Sequence, residues 1–339
     1  MKLNLAIVGA TGAVGKEMLS VLQAREFPIG NLRCFASPRS AGKEILFKGK
    51  SIKIESLSPH CFEGIDIALF SAGRKVSREW VPIAVKQGAK VVDNSSCFRM
   101  DANVPLIIPE INPEALKAHH TIIACPNCST TIMLMAAAPL HRRFKILRIF
   151  TATYQAASGA GFLAMEELKA ETLALLENRP FERSIMPHPY AFNLFSHNSP
   201  LNEEGYVEEE VKMLEETRKI LEDDQIQVNA VCVRVPVLRA HSEALNITFS
   251  QPVSLQEVYN VLKVAPGLKI LEDRSCNRFP MPIDATGQDD VFCGRIRKDL
   301  SLANTFDLWV VGDQLLKGAA LNAVQIAELI LRKNQCTTV

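Results

Sequence analysis

Cys128 sits where a reactive thiol would be placed. It lies in Pro126-Asn127-Cys128-Ser129-Thr130-Thr131, behind an apolar strand-like run and at the head of a helical pattern. A helix start exposes a side chain and lets the helix dipole stabilise a thiolate, which is the nucleophilic form of cysteine. A thiol simply packed at a helix start is the alternative. Cys125 and Cys128 form a CxxC pair. A redox pair would need a small thioredoxin-like fold, and a zinc site would need two further ligands at matching spacing; neither context is present, and no metal is expected.

Gly9-Ala10-Thr11-Gly12-Ala13-Val14-Gly15 follows the first apolar run and precedes a helical pattern. Glycines there let backbone N–H groups approach a pyrophosphate at a helix N-terminus. The spacing is GxxGxxG rather than the GxGxxG of the standard dinucleotide fingerprint, and a tight turn that binds nothing is the alternative. The second strand ends in Phe35-Ala36-Ser37-Pro38-Arg39-Ser40-Ala41-Gly42-Lys43. An NAD site tends to carry an acid near this point for the ribose hydroxyl. Hydroxyls, an Arg and a Lys suit a 2′-phosphate instead, so NADP is favoured over NAD, against a solvated basic turn.

Isolated charges complete the set. Glu209 and Lys212 are three apart, hence neighbours on a helix, away from an apolar stripe of Val207, Val211 and Leu214. A solvated, salt-bridged face explains that spacing equally well. Arg234 lies in an apolar strand, where an unpaired charge is costly, so it wants an anionic partner, either a ligand or a structural ion pair. His241 has no distinguishing neighbours and by itself would be a surface histidine.

Two kinds of chain organisation position these residues. Up to Cys125, apolar runs at 3–8, 32–36, 65–70, 90–93 and 122–125 alternate with helical segments such as 15–25, which argues for a parallel, doubly wound sheet. After Cys128 come a helix over 129–140 closed by Pro139 and the basic His141-Arg142-Arg143, a strand over 146–154, a helix over 163–177, a long loop over 178–206 and a helix over 207–221. Strand-like runs at 228–237, 244–249 and 308–311 then occur in series, as in a mixed or antiparallel sheet, and a long helix over 315–332 follows. The expected division is a dinucleotide domain of 1–127 with 315–339, and an α+β domain of 128–314.

With 339 residues, 47% apolar and 22% charged, the chain can bury two cores. A net charge of +1 recruits neither nucleic acid nor an anionic membrane. No signal-peptide pattern or membrane-length apolar run is seen, and nine cysteines without framework spacing read as reduced thiols of a cytoplasmic protein.

Taken together, these stretches resemble aspartate-semialdehyde dehydrogenases over essentially the whole chain. The resemblance is carried by Gly9–Gly15, Arg39–Lys43, Asp93-Asn-Ser-Ser-Cys-Phe-Arg-Met-Asp101, Pro126–Thr130, Tyr154-Gln-Ala-Ala-Ser-Gly-Ala-Gly161, Cys232-Val-Arg-Val-Pro-Val237 with His241, and Lys317-Gly-Ala-Ala-Leu-Asn-Ala-Val-Gln-Ile-Ala-Glu328. It implies a Rossmann-type NADP-binding domain and an α+β catalytic and dimerisation domain, of the glyceraldehyde-3-phosphate-dehydrogenase-like kind, in a homodimer. The implied reaction is NADPH-dependent reductive dephosphorylation of L-aspartyl 4-phosphate to L-aspartate 4-semialdehyde, feeding lysine, methionine, threonine and diaminopimelate synthesis.

The resemblance also implies roles. Cys128 would carry the acyl group, His241 would be the acid/base, and Gln155 would position the carbonyl. Arg99 and Lys212 would bind phosphate, Arg234 the substrate carboxylate and Glu209 its amine, with Asn127 a further substrate contact. Gly9, Thr11, Gly12, Ala13, Val14, Ser37, Arg39, Ser40, Ser158, Gly159 and Gln314 would line the cofactor. Two departures stand out: Cys125 replaces a residue that is usually Asn, and Asp313-Gln314-Leu315-Leu316 replaces Asp-Asn-Leu-Arg, which changes the reach of the amide at 314. A reductase for N-acetylglutamyl phosphate or a phosphoglycerate, and a non-catalytic NADP-binding paralogue, are the rival assignments. A free substrate amine matched by Glu209 disfavours the acetylated substrate, and the intact Cys128, Gln155, Arg234 and His241 disfavour the paralogue.

Overall fold

A computed structural model describes residues 2–336. The chain divides into two compact units, with the crossings after Pro126 and after Gly318. The sequence expectation placed these divisions after 127 and before 315.

The first unit contains β1 (Leu3–Val8), α1 (Ala13–Ala24), β2 (Ile29–Ala36), β3 (Glu44–Phe47), β4 (Lys50–Ser56), β5 (Ile67–Phe70), α2 (Arg74–Lys86), β6 (Lys90–Asp93) and β7 (Ile122–Ala124). Its sheet has the order β3-β4-β2-β1-β5-β6-β7, parallel except for β3 against β4. The strands of the centre are buried on both faces, which explains their continuous apolar runs. From β1 the chain passes to β2 on one side and later to β5 on the other, so the crevice beyond the end of β1 is the topological switch point. Phe35, Phe62 and Phe70 stack in the core beneath it.

The second unit contains α3 (Cys128–Phe144), β8 (Ile146–Gln155), α4 (Phe162–Leu176), β9 (Phe195–Ser196), α5 (Glu208–Leu221), β10 (Gln227–Arg234), β11 (His241–Phe249), α6 (Leu255–Lys263), β12 (Leu268–Ile270), α7 (Pro282–Ala285), β13 (Val291–Lys298) and β14 (Thr305–Gly312). Its mixed sheet runs β12-β13-β14-β11-β8-β10-β9, with β8 and β10 parallel and β11 antiparallel to β8 and β14. After a wide turn at Leu316–Ala320, α8 (Leu321–Cys336) packs on α1 and β6 in the first unit, where Arg25 and Glu328 form an ion pair.

Several sequence expectations fail for identifiable reasons. Pro139 does not close α3, which continues to Phe144; burial of nearly the whole helix and His141, Arg142 and Arg143 in its last turn outweigh the lost hydrogen bond. The apolar stripe of α5 is not its buried face. Glu209, Met213, Glu216, Thr217 and Ile220 point inward, while Val211 and Leu214 are only half-buried. The strands β3, β4, β9, β12 and β13 went unread.

Candidate active site

Cys128 is the first residue of α3 and half-buried. Asn127 is the helix cap: its Oδ1 accepts from the Ser129 N–H at 2.9 Å and the Thr130 N–H at 3.2 Å. No acid stands in the first turn to offset the positive helix end. The same Asn127 donates from Nδ2 to Glu209 Oε1 at 2.7 Å, and its backbone N–H to Glu216 Oε2 at 2.6 Å. The buried carboxylates of α5 thus hold the turn carrying the thiol. Behind the thiol stands Gly318, where a Cβ would lie 2.8 Å from that of Cys128.

Three neighbouring strands end in a functional row. Arg234 of β10 pairs in register with Gln155 of β8, and Tyr154 of β8 with Ser242 of β11. The period of two that buries Thr151, Thr153 and Gln155 on β8 also buries Cys232 and Arg234 on β10 and His241 and Glu243 on β11. Gln155 Nε2 donates to Ser129 Oγ at 2.7 Å, beside the thiol, and the Ala156 N–H donates to His241 Nδ1 at 3.0 Å. That bond makes Nδ1 an acceptor and places the imidazole proton on Nε2. His241 Nε2 and Gln155 Oε1 are buried with no protein partner among the described residues.

The electrostatics are unusual. Arg234 is 5% exposed, yet no carboxylate of the described residues lies within ion-pair distance; its Nη2 meets His197 Nε2 at 2.7 Å and its Nε donates to Asn198 Oδ1 at 3.4 Å. Burial, then the Arg234 guanidinium, push His241 down to about 3. The ring is fully buried, which corrects the reading of an isolated surface histidine. Burial alone would raise the Glu209 carboxyl, but the Asn127 amide and nearby cations hold it below the usual range. Lys212 Nζ lies 3.2 Å from Glu208 and 3.8 Å from Glu209, so it forms the salt-bridged helix face and is partly exposed.

Gly159 keeps a space clear in front of this row. A Cβ there would lie 3.0 Å from His241 Nε2 and 3.1 Å from Arg234 Nη1. One point is therefore within hydrogen-bonding reach of both groups. Ser158 and Gln314 are buried and bonded to each other, and Gln314 Oε1 accepts from the Ala240 N–H at 2.9 Å. Ala240 has φ +72°, a conformation that costs a residue other than glycine about 1–3 kcal/mol and needs support from its surroundings. Asp313, fully buried, adds to that support by accepting from Arg239 Nε at 2.7 Å. The Gln314 amide is thus occupied at both ends within the protein.

The first unit holds the other candidates. The Gly9 and Ala10 N–H groups donate to Phe35 O at 2.8 and 3.0 Å, which pins the loop to the end of β2. Gly9 has φ +93°, and a Cβ on it would meet Ser71 O at 2.4 Å; one on Gly15 would meet Gly9 O at 2.2 Å. Gly12 is exposed at the N-terminus of α1, no side chain caps the helix, and Thr11, Ala13 and Val14 are half-buried around it. This geometry fits a pyrophosphate. Ser37 and Arg39 are exposed and Ser40 half-buried in the turn after β2, where Arg39 and Lys43 have no ion-pair partner among the described residues. Arg99 is 8% exposed and donates from Nε to Cys125 O at 2.8 Å and from Nη2 to Asn94 O at 3.0 Å.

His197, Ser199 and Gly318 were missed as site residues. Gly318 stood within a matching motif, but its contact with Cys128 depends on the turn before α8. Nothing local marked His197 or Ser199 in a loop without periodicity.

Residues 4–119 match the family model described as semialdehyde dehydrogenase, NAD binding domain, and residues 137–317 the one described as semialdehyde dehydrogenase, dimerisation domain. The chain is 53% identical over 331 residues to an aspartate-semialdehyde dehydrogenase of Synechocystis sp., covering 98% of each, and 46% identical over 340 residues to that of Bacillus subtilis, covering 98% of each. It is also similar to the crystal structure of aspartate semialdehyde dehydrogenase II of Vibrio cholerae complexed with ASA, with TM-score 0.95, 43% identity, and coverage of 98% and 99%.

Proposed function

Since this chain belongs to the aspartate-semialdehyde dehydrogenase family, a family of oxidoreductases, we propose that it reduces L-aspartyl 4-phosphate to L-aspartate 4-semialdehyde with NADPH through a thioester on Cys128. One observation carries the assignment. Arg234 is a buried cation without a carboxylate partner among the described residues, facing the space that Gly159 leaves open and that His241 Nε2 also borders. An α-amino-acid carboxylate would complete that ion pair, and the Glu209 carboxylate on the same side of the unit would meet the ammonium group.

The cofactor would lie with its pyrophosphate against the loop of Gly9, Thr11, Gly12, Ala13 and Val14, on the N–H groups of Thr11, Ala13 and Val14 because those of Gly9 and Gly12 are bonded within the protein, and its 2′-phosphate on Ser37, Arg39 and Ser40. When bound, the nicotinamide supplies the hydride in the reductive direction and accepts it in the oxidative one. Gly159 and Ser158 would flank it, with Gln314 acting through its hold on Ser158.

In the oxidative direction Cys128 gives its thiol proton to the neutral His241 and attacks the aldehyde carbon, whose oxygen Gln155 positions. The proton passes to the thiohemiacetal oxygen and returns to His241 as hydride leaves to the cofactor and the thioester forms. Phosphate, held by Arg99 and Lys212, then displaces the thiol. Substrate binding tunes this base. The carboxylate neutralises Arg234, which is one cause of the depressed His241 pKa, so the imidazole becomes more basic once substrate is in place.

The second unit matches a dimerisation domain, and we infer a homodimer through the sheet face opposite α3. That face carries Tyr154 and Trp309, whose rings are 5.4 Å apart, beside a cavity of about 350 Å³ lined by Phe150, Arg295 and Asp307. No helix of the described residues is long and apolar enough to cross a membrane. The free cysteines suit a reducing cytoplasm and a biosynthetic role there. The test is phosphate-dependent reduction of NADP with aspartate semialdehyde. Turnover that ignores phosphate, or that prefers N-acetylglutamate semialdehyde, would defeat the proposal.

A further inference from the structure

We propose that His197 is a positioning residue that aims the Arg234 guanidinium and ties it to the helix bearing Glu209, so that one short segment sets both groups that hold the amino-acid end of the substrate. The inference rests on the roles given to Arg234 and Glu209 above.

The geometry begins with β9. Phe195 and Ser196 pair antiparallel with Arg234 and Val233, and the His197 N–H donates to Cys232 O at 2.8 Å. This edge pairing brings the His197 ring to the end of β10, where Nε2 lies 2.7 Å from Arg234 Nη2. A guanidinium only donates, so Nε2 must accept with its lone pair, and the ring proton belongs on Nδ1. Two Ser199 groups face Nδ1, Oγ at 3.1 Å and the backbone N–H at 3.2 Å; a protonated Nδ1 bonds only Oγ and leaves the Ser199 N–H contact unused, and the same Oγ accepts the Glu209 N–H at 3.2 Å in the first turn of α5. The chain of bonds runs from guanidinium to imidazole to hydroxyl to the helix start.

The rest of the guanidinium follows from this. Nε is bonded to Asn198 Oδ1, Nη2 is bonded to His197, and Nη1 remains beside the space at Gly159. The ring must stay neutral to accept, and burial followed by the Arg234 charge depress it to about 4. The preceding loop is anchored as well. Glu167 of α4 accepts from the N–H groups of Ser184, Ile185 and Met186, and Glu171 from those of Tyr190 and Ala191. His197 is therefore held from the loop on one side and by strand pairing on the other.

The test compares Michaelis constants for semialdehyde, NADP and phosphate in the full-length enzyme. His197→Leu keeps volume but leaves Nη2 without an acceptor, and should raise the constant for semialdehyde by about 10- to 100-fold while those for NADP and phosphate stay within about threefold. His197→Gln restores an acceptor and should recover most of that loss. Arg234→Ala is the control. If it leaves the semialdehyde constant unchanged, the role of Arg234 fails and the inference with it. If it raises the constant and His197→Leu does not, only the inference fails. Equal losses for all three substrates in His197→Leu, without rescue by His197→Gln, would reduce His197 to a structural residue and overturn the proposal. Should His197→Leu not fold, Ser199→Ala decides: a selective rise for semialdehyde supports the relay, and no change overturns it. Isotope-labelled histidine should show the His197 proton on Nδ1; a proton on Nε2 would contradict the arrangement.

Discussion

Two cationic regions of the protein, each proposed above to recognise an anion, are built in opposite ways. In the first unit, Ser37 and Arg39 stand exposed on a short turn after β2, and Arg39 and Lys43 have no ion-pair partner among the described residues. In the second, Arg234 is 5% exposed, and hydrogen bonds to His197 and Asn198 fix its orientation. The exposed turn offers mobile charge in a high dielectric, where each contact is worth little and salt screens it. The buried guanidinium is preorganised and loses its water before the ligand arrives, so it discriminates strongly. The contrast matches what each must tell apart. A 2′-phosphate is a large difference between cofactors, whereas one small acid must be held to within bonding distance of a thiol.

The largest expected effect lies in the buried region. His241→Asn should lower turnover by about 100- to 10,000-fold, because an amide hydrogen-bonds without taking a proton, while NADP binding and alkylation of Cys128 persist. Turnover near wild type would end the role of His241 as base. Arg234→Ala should cost about 30-fold or more in kcat/KM for semialdehyde and acyl phosphate alike, since both carry the carboxylate. Arg99→Ala, by comparison, should act chiefly on the Michaelis constant for phosphate. Matching damage profiles would erase the division between them.

The exposed region should give smaller and salt-dependent effects. Arg39→Ala should weaken NADP binding by about fivefold to 50-fold and leave semialdehyde unaffected. Raising ionic strength should weaken NADP binding more than semialdehyde binding in the wild type; equal sensitivity would break the comparison. pH offers a further distinction. His241 is depressed to about 3, so the folded ring is neutral above that value, and kcat/KM should show no loss attributable to it as pH falls from 8 through 6.5. The corresponding inflection in kcat should lie higher, once substrate neutralises Arg234. Coincident inflections would oppose the coupling.

The smallest effect concerns stability. Burial raises the Glu243 carboxyl well above its ordinary range, and neither oxygen has a protein partner among the described residues. The folded chain keeps a proton there that the unfolded chain releases above about pH 4.5, so stability is lost as pH rises. Glu243→Gln should therefore raise Tm at about pH 8, with the gap closing below pH 4.5. An unchanged Tm difference across that range would show that Glu243 is not protonated in the fold.

How much the sequence disclosed follows the range of the forces involved. The glycine loop was legible because its requirements are local: Gly9 has a positive φ and Gly15 an approach that excludes any Cβ. Cys128 was legible because a strand-like run followed at once by a helical pattern is a local signal. The buried face of α5 was misjudged because Glu209 and Glu216 face inward to hold Asn127, which inverts the usual amphipathic pattern. The row of Gln155, Arg234 and His241 depends on the register of three strands far apart in sequence, and single-strand patterns do not carry register. The same holds for the His241 pKa, which Arg234 of another strand helps to set. The strands β4 and β13 were unread because charged residues interrupt them, as in Lys50-Ser-Ile-Lys-Ile-Glu-Ser.

The central claim is an acyl group carried on Cys128, and a single-turnover experiment tests it most directly. Enzyme mixed with aspartate semialdehyde and NADP, without phosphate, should produce a burst of about one NADPH per site. Peptide mass spectrometry should then find one aspartyl group on Cys128, which phosphate discharges. A burst with no adduct, or an adduct on another cysteine, would contradict the account.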